Sequence, residues 1–139
     1  MKAAPRITVA QQLDKIASGA RPIVKAARRS VKAIAPNARE IAYRSRPPRS
    51  KSAMWKIARY AIGDDYVLGI GTFPTYAAMF FYRGRELDDG SGLLEGGGKD
   101  LRFTRLLTPA DAGTPALKRL VRRAFALGAT ARRGATADR

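Results

Sequence analysis

The hydrophobic period changes twice along this chain, and the order of those periods limits which layers it can build. Apolar residues recur every three or four positions as far as Ile34. Aromatic and β-branched runs replace them between Ala53 and Tyr82, and helical spacing returns from Leu117 to Phe125. Thr8 caps a short first helix that places Val9, Leu13 and Ile16 on one face and stops at Gly19. A second helix opens at Pro22 and aligns Ile23, Val24, Ala27, Val31 and Ile34, with Lys25, Arg28, Arg29 and Lys32 on the opposite side. Pro36 ends it, because the residue before a proline is pushed out of the α region. The pattern then predicts a helical turn over Asn37–Arg44 with Ile41 inward, and a loop over the RSRPPRSKS run, Arg44–Ser52.

Extended segments follow. Ala53–Ala61 reads as a strand with Trp55 and Ile57 on one face. A turn at Gly63-Asp64-Asp65 leads into Tyr66–Thr72, and Thr75–Tyr82 follows Pro74. Gly84 marks a tight turn, and a long connection leads to Leu101–Leu107, where Leu101, Phe103 and Leu107 alternate with Arg102 and Leu106. Thr108-Pro109-Ala110-Asp111 has the chemistry of a helix start. Thr114-Pro115 opens a closing helix with Leu117, Leu120, Val121, Ala124 and Phe125 inward, Lys118, Arg119, Arg122 and Arg123 outward, and Gly128 as its stop. The expected fold class is α+β: one small domain whose antiparallel sheet is flanked by N-terminal and C-terminal helices. Residues 1–19 form an N-terminal helical extension, 20–128 the α+β domain and 129–139 a disordered basic tail.

Composition narrows the chemistry. The 139 residues include no cysteine and no histidine, which removes thiolate ligands, disulfides, the usual general base near neutral pH and the commonest metal ligand. Any metal must therefore sit among oxygen ligands. The formal charge is +16, unevenly placed: seven of the eleven acids fall between Asp64 and Asp100, whereas 24 of the 27 bases lie outside that window. A cationic body with a mid-chain acidic region attracts polyanions. No apolar run approaches the roughly 20 residues that span a bilayer, and Met1-Lys2-Ala3-Ala4-Pro5 leads into no apolar stretch, so no membrane insertion and a cytoplasmic location are expected.

The acidic window centres on FYRGRELDDGSGLLEGGGKDLRF, Phe81–Phe103. Glu86, Asp88, Asp89 and Glu95 are candidate oxygen ligands for a hard cation, although their spacing does not match an EF-hand loop. The alternative is that these acids hydrogen-bond neighbouring backbone N–H groups in turns. Gly96-Gly97-Gly98-Lys99 has the makings of an anion nest, but Asp100 follows the lysine where a Walker loop needs Ser or Thr and then a helix. The basic helix faces and the RSRPPRSKS loop can follow a nucleic-acid backbone, with Trp55-Lys56 and Arg59-Tyr60 supplying a little aromatic interleaving. Strand aromatics are more commonly core.

Two blocks carry a family likeness. Ala35, Pro36 and Glu40 match an A-P-x-x-x-E element. Arg83, Gly84, Leu87, Asp88, Gly92, Leu93, Leu94, Glu95, Gly96, Gly98, Lys99 and Arg102 match an RG-x-x-L…D…G-LLEG-x-GK-x-x-R block. Across residues 20–127 the chain resembles the YdhG-like proteins, catalogued as domain of unknown function 1801. The resemblance implies a small α+β binding protein rather than an enzyme. Iron is a cargo by that resemblance only, since some members are described as frataxin-like iron chaperones. Positions where members often carry histidine hold Thr75, Tyr76 and Phe103 here, and the long helices are basic. The candidate ligand surface is Arg83, Gly84, Glu86, Asp88, Asp89, Glu95, Gly96, Gly98, Lys99 and Arg102. Two functions follow: carriage of an ion or small ligand there, or association of the cationic body with an acidic partner such as nucleic acid.

Overall fold

A computed structural model describes residues 8–43 and 47–137, with the side chains of the last helix described as far as Gly128. Arg44, Ser45 and Arg46 of the basic loop therefore lie outside the described residues, as do residues 1–7 and 138–139. Two helices, α1 (Val9–Leu13) and α2 (Arg21–Ile34), precede β1 (Arg39–Ala42), β2 (Trp55–Ile62), β3 (Asp65–Thr72) and β4 (Ala77–Phe81). A one-turn helix α3 (Gly84–Leu87), strand β5 (Arg102–Leu106), a 3₁₀ turn (Pro109–Gly113) and a long helix α4 (Pro115–Ala137) complete the order. The chain is an α+β domain in which five strands form one antiparallel meander, β1-β2-β3-β4-β5. No helix among the described residues is long and apolar enough to cross a membrane.

The helices cover one side of this sheet. Ile23, Val24, Ala27 and Val31 of α2 and Leu117, Leu120, Val121 and Ala124 of α4 meet Tyr60, Leu68, Ile70, Met79, Phe81 and Leu106 in one buried core. Each fully buried aliphatic or aromatic side chain there contributes about 1.5–3 kcal/mol. Strand register assigns the faces. Tyr60 pairs with Leu68, Leu68 with Phe81, and Met79 with Thr104, all on the helix side. Arg59 pairs with Gly69, Gly69 with Phe80, and Phe80 with Phe103, all on the other side.

Two β-bulges decide which residues reach that other side. Register shifts between Lys56 and Ala58, where Ile57 is the extra residue of β2, so Ile57 and Ala58 both enter the core. Lys56 and Arg59 are thereby returned to the same outer face. A second shift between Tyr60 and Ala61 leaves Val67 of β3 as the extra residue; Val67 and Leu68 both face the helices, and Tyr66 turns outward against Arg59.

Several expectations are corrected. The helical turn expected over Asn37–Arg44 is replaced, in its described part, by a strand: residues Arg39–Ala42 take their backbone partners from β2 as an edge strand, with Arg39 opposite Ala61 and Ala42 opposite Ala58. Glu40 fixes it there by accepting Arg28 Nη2 at 2.8 Å, Arg28 Nε at 3.0 Å and Tyr60 Oη at 2.5 Å. Gly84 starts α3 rather than a bare turn, and a Cβ on it would meet Arg102 Cβ at 2.4 Å. In β5 the inward residues are Thr104 and Leu106, while Leu107 is 61% exposed, one position out of phase with the expected alternation.

The chain ends differ as well. α4 does not stop at Gly128 but continues to Ala137, through the segment expected to be a disordered tail. Gly128 serves close packing instead, since a Cβ there would lie 3.2 Å from Val67 Cγ2. Alanines and arginines beyond it are strong helix formers that offset the glycine's cost of about 1 kcal/mol. At the other end α1 is no appendage. Its Thr8–Gln11 capping box holds, Val9, Leu13 and Ile16 join the shared core, and Gln12 Nε2 donates to the Tyr43 carbonyl at 2.5 Å.

Candidate functional site

The glycine–acid segment between β4 and β5 is folded against the domain, and its charges are used internally. Arg83 forms a fork with Glu86, Nε to Oε2 at 2.6 Å and Nη2 to Oε1 at 2.8 Å, and reaches the Leu127 carbonyl at 3.3 Å. That fork holds the Glu86 carboxyl below its ordinary pKa. Asp88 Oδ1 accepts the Gly90 N–H and Asp89 Oδ1 the Ser91 N–H, each at 2.9 Å. The Ser91 hydrogen bonds lower the Asp89 pKa. Gly90, Gly92 and Gly96 adopt φ of 79°, 86° and 119°, a region open to glycine. These are the turn acids of the alternative reading.

Further along, Glu95 pairs by backbone with Phe103 in both directions, at 2.7 and 2.9 Å, and its carboxylate meets Arg105 Nε at 3.1 Å. Arg102 Nη1 donates to the Gly98 carbonyl at 2.6 Å and the Leu101 carbonyl at 2.9 Å, which ties the glycine run to the start of β5. Lys99 is exposed, and Asp100 faces Arg85 at 3.6 Å. Leu87, Leu93 and Leu94 line a cavity of about 240 Å³ against Leu120, Arg119 and Arg123 of α4, which seats the segment on the helix. That volume is below the range typical of small-molecule sites. The structure thus brings the sequence-predicted residues into one segment but not into one site. Among the described residues no three acids gather where they could hold a metal ion.

The uncovered face of the sheet is arranged differently. Phe80 is fully buried there, its ring lying across β3 where a Cβ on Gly69 would meet Phe80 Cζ at 2.2 Å. Above it stand Tyr82, edge-on at 5.7 Å, Tyr43 at 6.5 Å and the Lys56 ammonium at 5.1 Å. The Tyr43 and Tyr82 hydroxyls hydrogen-bond each other. Arg59 Cζ lies 4.1 Å from the Tyr66 ring centroid and 4.9 Å from that of Tyr43. Burial opposes charge on Arg59, but hydrogen bonding to the Tyr82 hydroxyl and the electrostatic pull of the Tyr43 and Tyr66 phenol groups outweigh it and raise its pKa. Its Nε is buried without a hydrogen-bond partner. Among the described residues no carboxylate lies within ion-pair distance of Arg59.

Toward β5 the same face changes character. Arg105 packs over Tyr76 and Phe103 at 5.8 and 5.7 Å but is already paired with Glu95. Over β1–β3, by contrast, Arg59 meets rings rather than an acid, and Arg39 is exposed. The helix layer carries a second cationic surface: Arg29, Ser30, Ala33 and Ile34 of α2 and Lys118 and Arg122 of α4 line an open groove of about 390 Å³. Sequence reasoning singled out those helix cations but missed Tyr43, Tyr66, Phe80 and Tyr82 as a group. Only the bulges reveal that Lys56, Arg59 and Tyr66 share a surface. No protein-family model, curated protein or solved structure matches the chain.

Proposed function

We propose that the protein is a non-enzymatic binding domain, of the YdhG-like kind its sequence resembles, that associates through its cationic surfaces with a polyanion, nucleic acid above all. The observation that carries this reading is the groove between α2 and α4, where Arg29, Lys118 and Arg122 come together from two helices and no carboxylate lines the walls. Elsewhere the acids are consumed by internal partners: Glu40 by Arg28, Glu86 by Arg83, Glu95 by Arg105 and Asp111 by the Thr108 cap. The formal charge of +16 is what remains after all eleven acids are set against the 27 bases, so cations outnumber the acids that could neutralise them. Binding to phosphates releases condensed counterions, so affinity must fall with salt.

Fluorescence anisotropy with a labelled mixed-sequence DNA, single-stranded and duplex, tests this. Affinity for at least one form should drop by about tenfold or more between about 50 and 200 mM salt. Arg29→Glu combined with Arg122→Glu should weaken binding to the duplex. Absence of binding to either form at the lower salt removes the reading.

A further inference from the structure

The open face of the sheet has a chemistry that a charge-only surface does not need. A duplex offers phosphates but hides the flat faces of its bases, so helix-borne arginines and lysines suffice for it. Aromatic rings become useful where bases are unpaired and can stack, at about 1–3 kcal/mol per base, and a sheet bearing aromatics can present several at once. Here the rings are held in place before any ligand arrives. Phe80 is buried beneath them, Tyr43 and Tyr82 are joined through their hydroxyls, and Tyr82 lies 5.7 Å from Tyr66. Tyr66 remains 41% exposed even with Arg59 stacked on it. Preorganised rings lose little entropy on binding.

Arg59 gives the face its sign. Its guanidinium is flanked by Tyr43 and Tyr66, and no described carboxylate competes for it. A planar cation between two rings is positioned to receive a phosphate whose neighbouring bases stack beside it. We propose that the face of β1–β4 bearing Tyr43, Lys56, Arg59, Tyr66 and Tyr82 is a stacking platform for single-stranded nucleic acid. Unpaired bases rest on Tyr66 and Tyr43, and Arg59 meets the intervening phosphate. This rests on the polyanion reading above and names a second surface for it, distinct from the α2–α4 groove.

The test uses the full chain and labelled 12-nucleotide probes, oligo-deoxythymidine and oligo-uridine, beside a duplex of the same length. The wild-type protein should bind at least one single strand more tightly than the duplex. Tyr66→Ala should weaken single-strand binding about 5- to 100-fold and leave duplex binding unchanged, while Tyr66→Phe, which keeps the ring, should retain it. Arg59→Lys keeps the charge but not the plane and should fall between them; its urea midpoint checks that the fold survives. If Tyr66→Ala and Arg59→Lys leave single-strand binding intact while Arg29→Glu with Arg122→Glu abolishes it, the platform is refuted and the polyanion reading stands. Displacement of the oligonucleotide by polyglutamate at equal charge concentration likewise refutes the platform, since it shows charge alone being read. No binding to any probe refutes both.

Discussion

The segment between β4 and β5 and the open face of the sheet both mix charges with conformationally special residues, yet they solve different problems. In the segment, each cation that orders the backbone has a local oxygen partner: Arg83 has Glu86, Arg85 has Asp100, and Arg102 has two carbonyls. On the open face Arg59 is instead packed against the rings of Tyr43 and Tyr66, which are neutral at neutral pH. Self-neutralised charges organise a chain, whereas charges held by aromatic faces stay available to an outside anion. A cluster of ionisable residues in a sequence is therefore a weaker sign of binding than a cation whose neighbours are neutral.

The largest effect should come from removing the floor of the open face. Phe80 is completely buried and supports Tyr43, Tyr82 and Lys56. Phe80→Ala should cost about 3–5 kcal/mol in urea unfolding, the range for deleting a buried phenyl ring. A loss below about 1 kcal/mol would mean that the outer aromatics are loosely draped side chains, and the contrast with the segment would collapse.

Next comes the tie between α2 and the sheet edge. Burial pushes the Glu40 carboxyl up, but the Arg28 hydrogen bonds, the Tyr60 hydroxyl and nearby Lys32 outweigh it and hold its pKa below the ordinary 4.5. A carboxyl whose folded pKa is depressed adds stability that is complete above its unfolded value and is lost as pH falls through the folded one. Glu40→Gln should therefore cost about 1–3 kcal/mol at neutral pH, the range for a broken charged hydrogen-bond set. The gap between variant and wild type should close as the pH drops well below 4.5. Urea midpoints at neutral and strongly acidic pH measure this. A gap that stays constant with pH would assign the cost to shape rather than charge, placing Glu40 outside the pattern seen in the segment.

How much of this the sequence disclosed depends on how local each determinant is. Pro22 and Pro36 bracket α2, Gly63 turns the β2–β3 hairpin with φ of 59°, and Thr108 with Asp111 forms a capping box; all were legible because their causes lie within a few residues. The turn roles of Asp88 and Asp89 were legible for the same reason. β1 was not, because four residues become a strand only when β2 offers its edge. Nor was the phase of β5, where a shift of one position exchanges Phe103 for Thr104 in the core. The open face was hidden most deeply. Simple alternation puts Lys56 and Arg59 on opposite sides, and only the extra residue Ile57 reunites them.

The smallest effect belongs to the place where the two regions touch. Glu95 lies at the end of the acidic segment and pairs with Arg105 on the β5 side of the open face, both side chains nearly half exposed at 43% and 48%. An exposed pair of this kind contributes about 0.2–1 kcal/mol and is screened by salt. Glu95→Gln should thus lower stability by no more than that, and the difference should fade in about 1 M salt. The same change frees Arg105 from its acid beside Tyr76 and Phe103, adding a cation at the β5 edge of the face that carries Arg59 on β2. Affinity for oligo-deoxythymidine should rise about two- to fivefold, as expected for one added exposed phosphate contact. Stability and binding would then move in opposite directions after a single substitution, which separates an acid that balances the sheet from one that builds it. A loss of several kcal/mol with no gain in affinity would instead make Glu95 a structural member of β5, through the charge that its backbone pairing with Phe103 does not require.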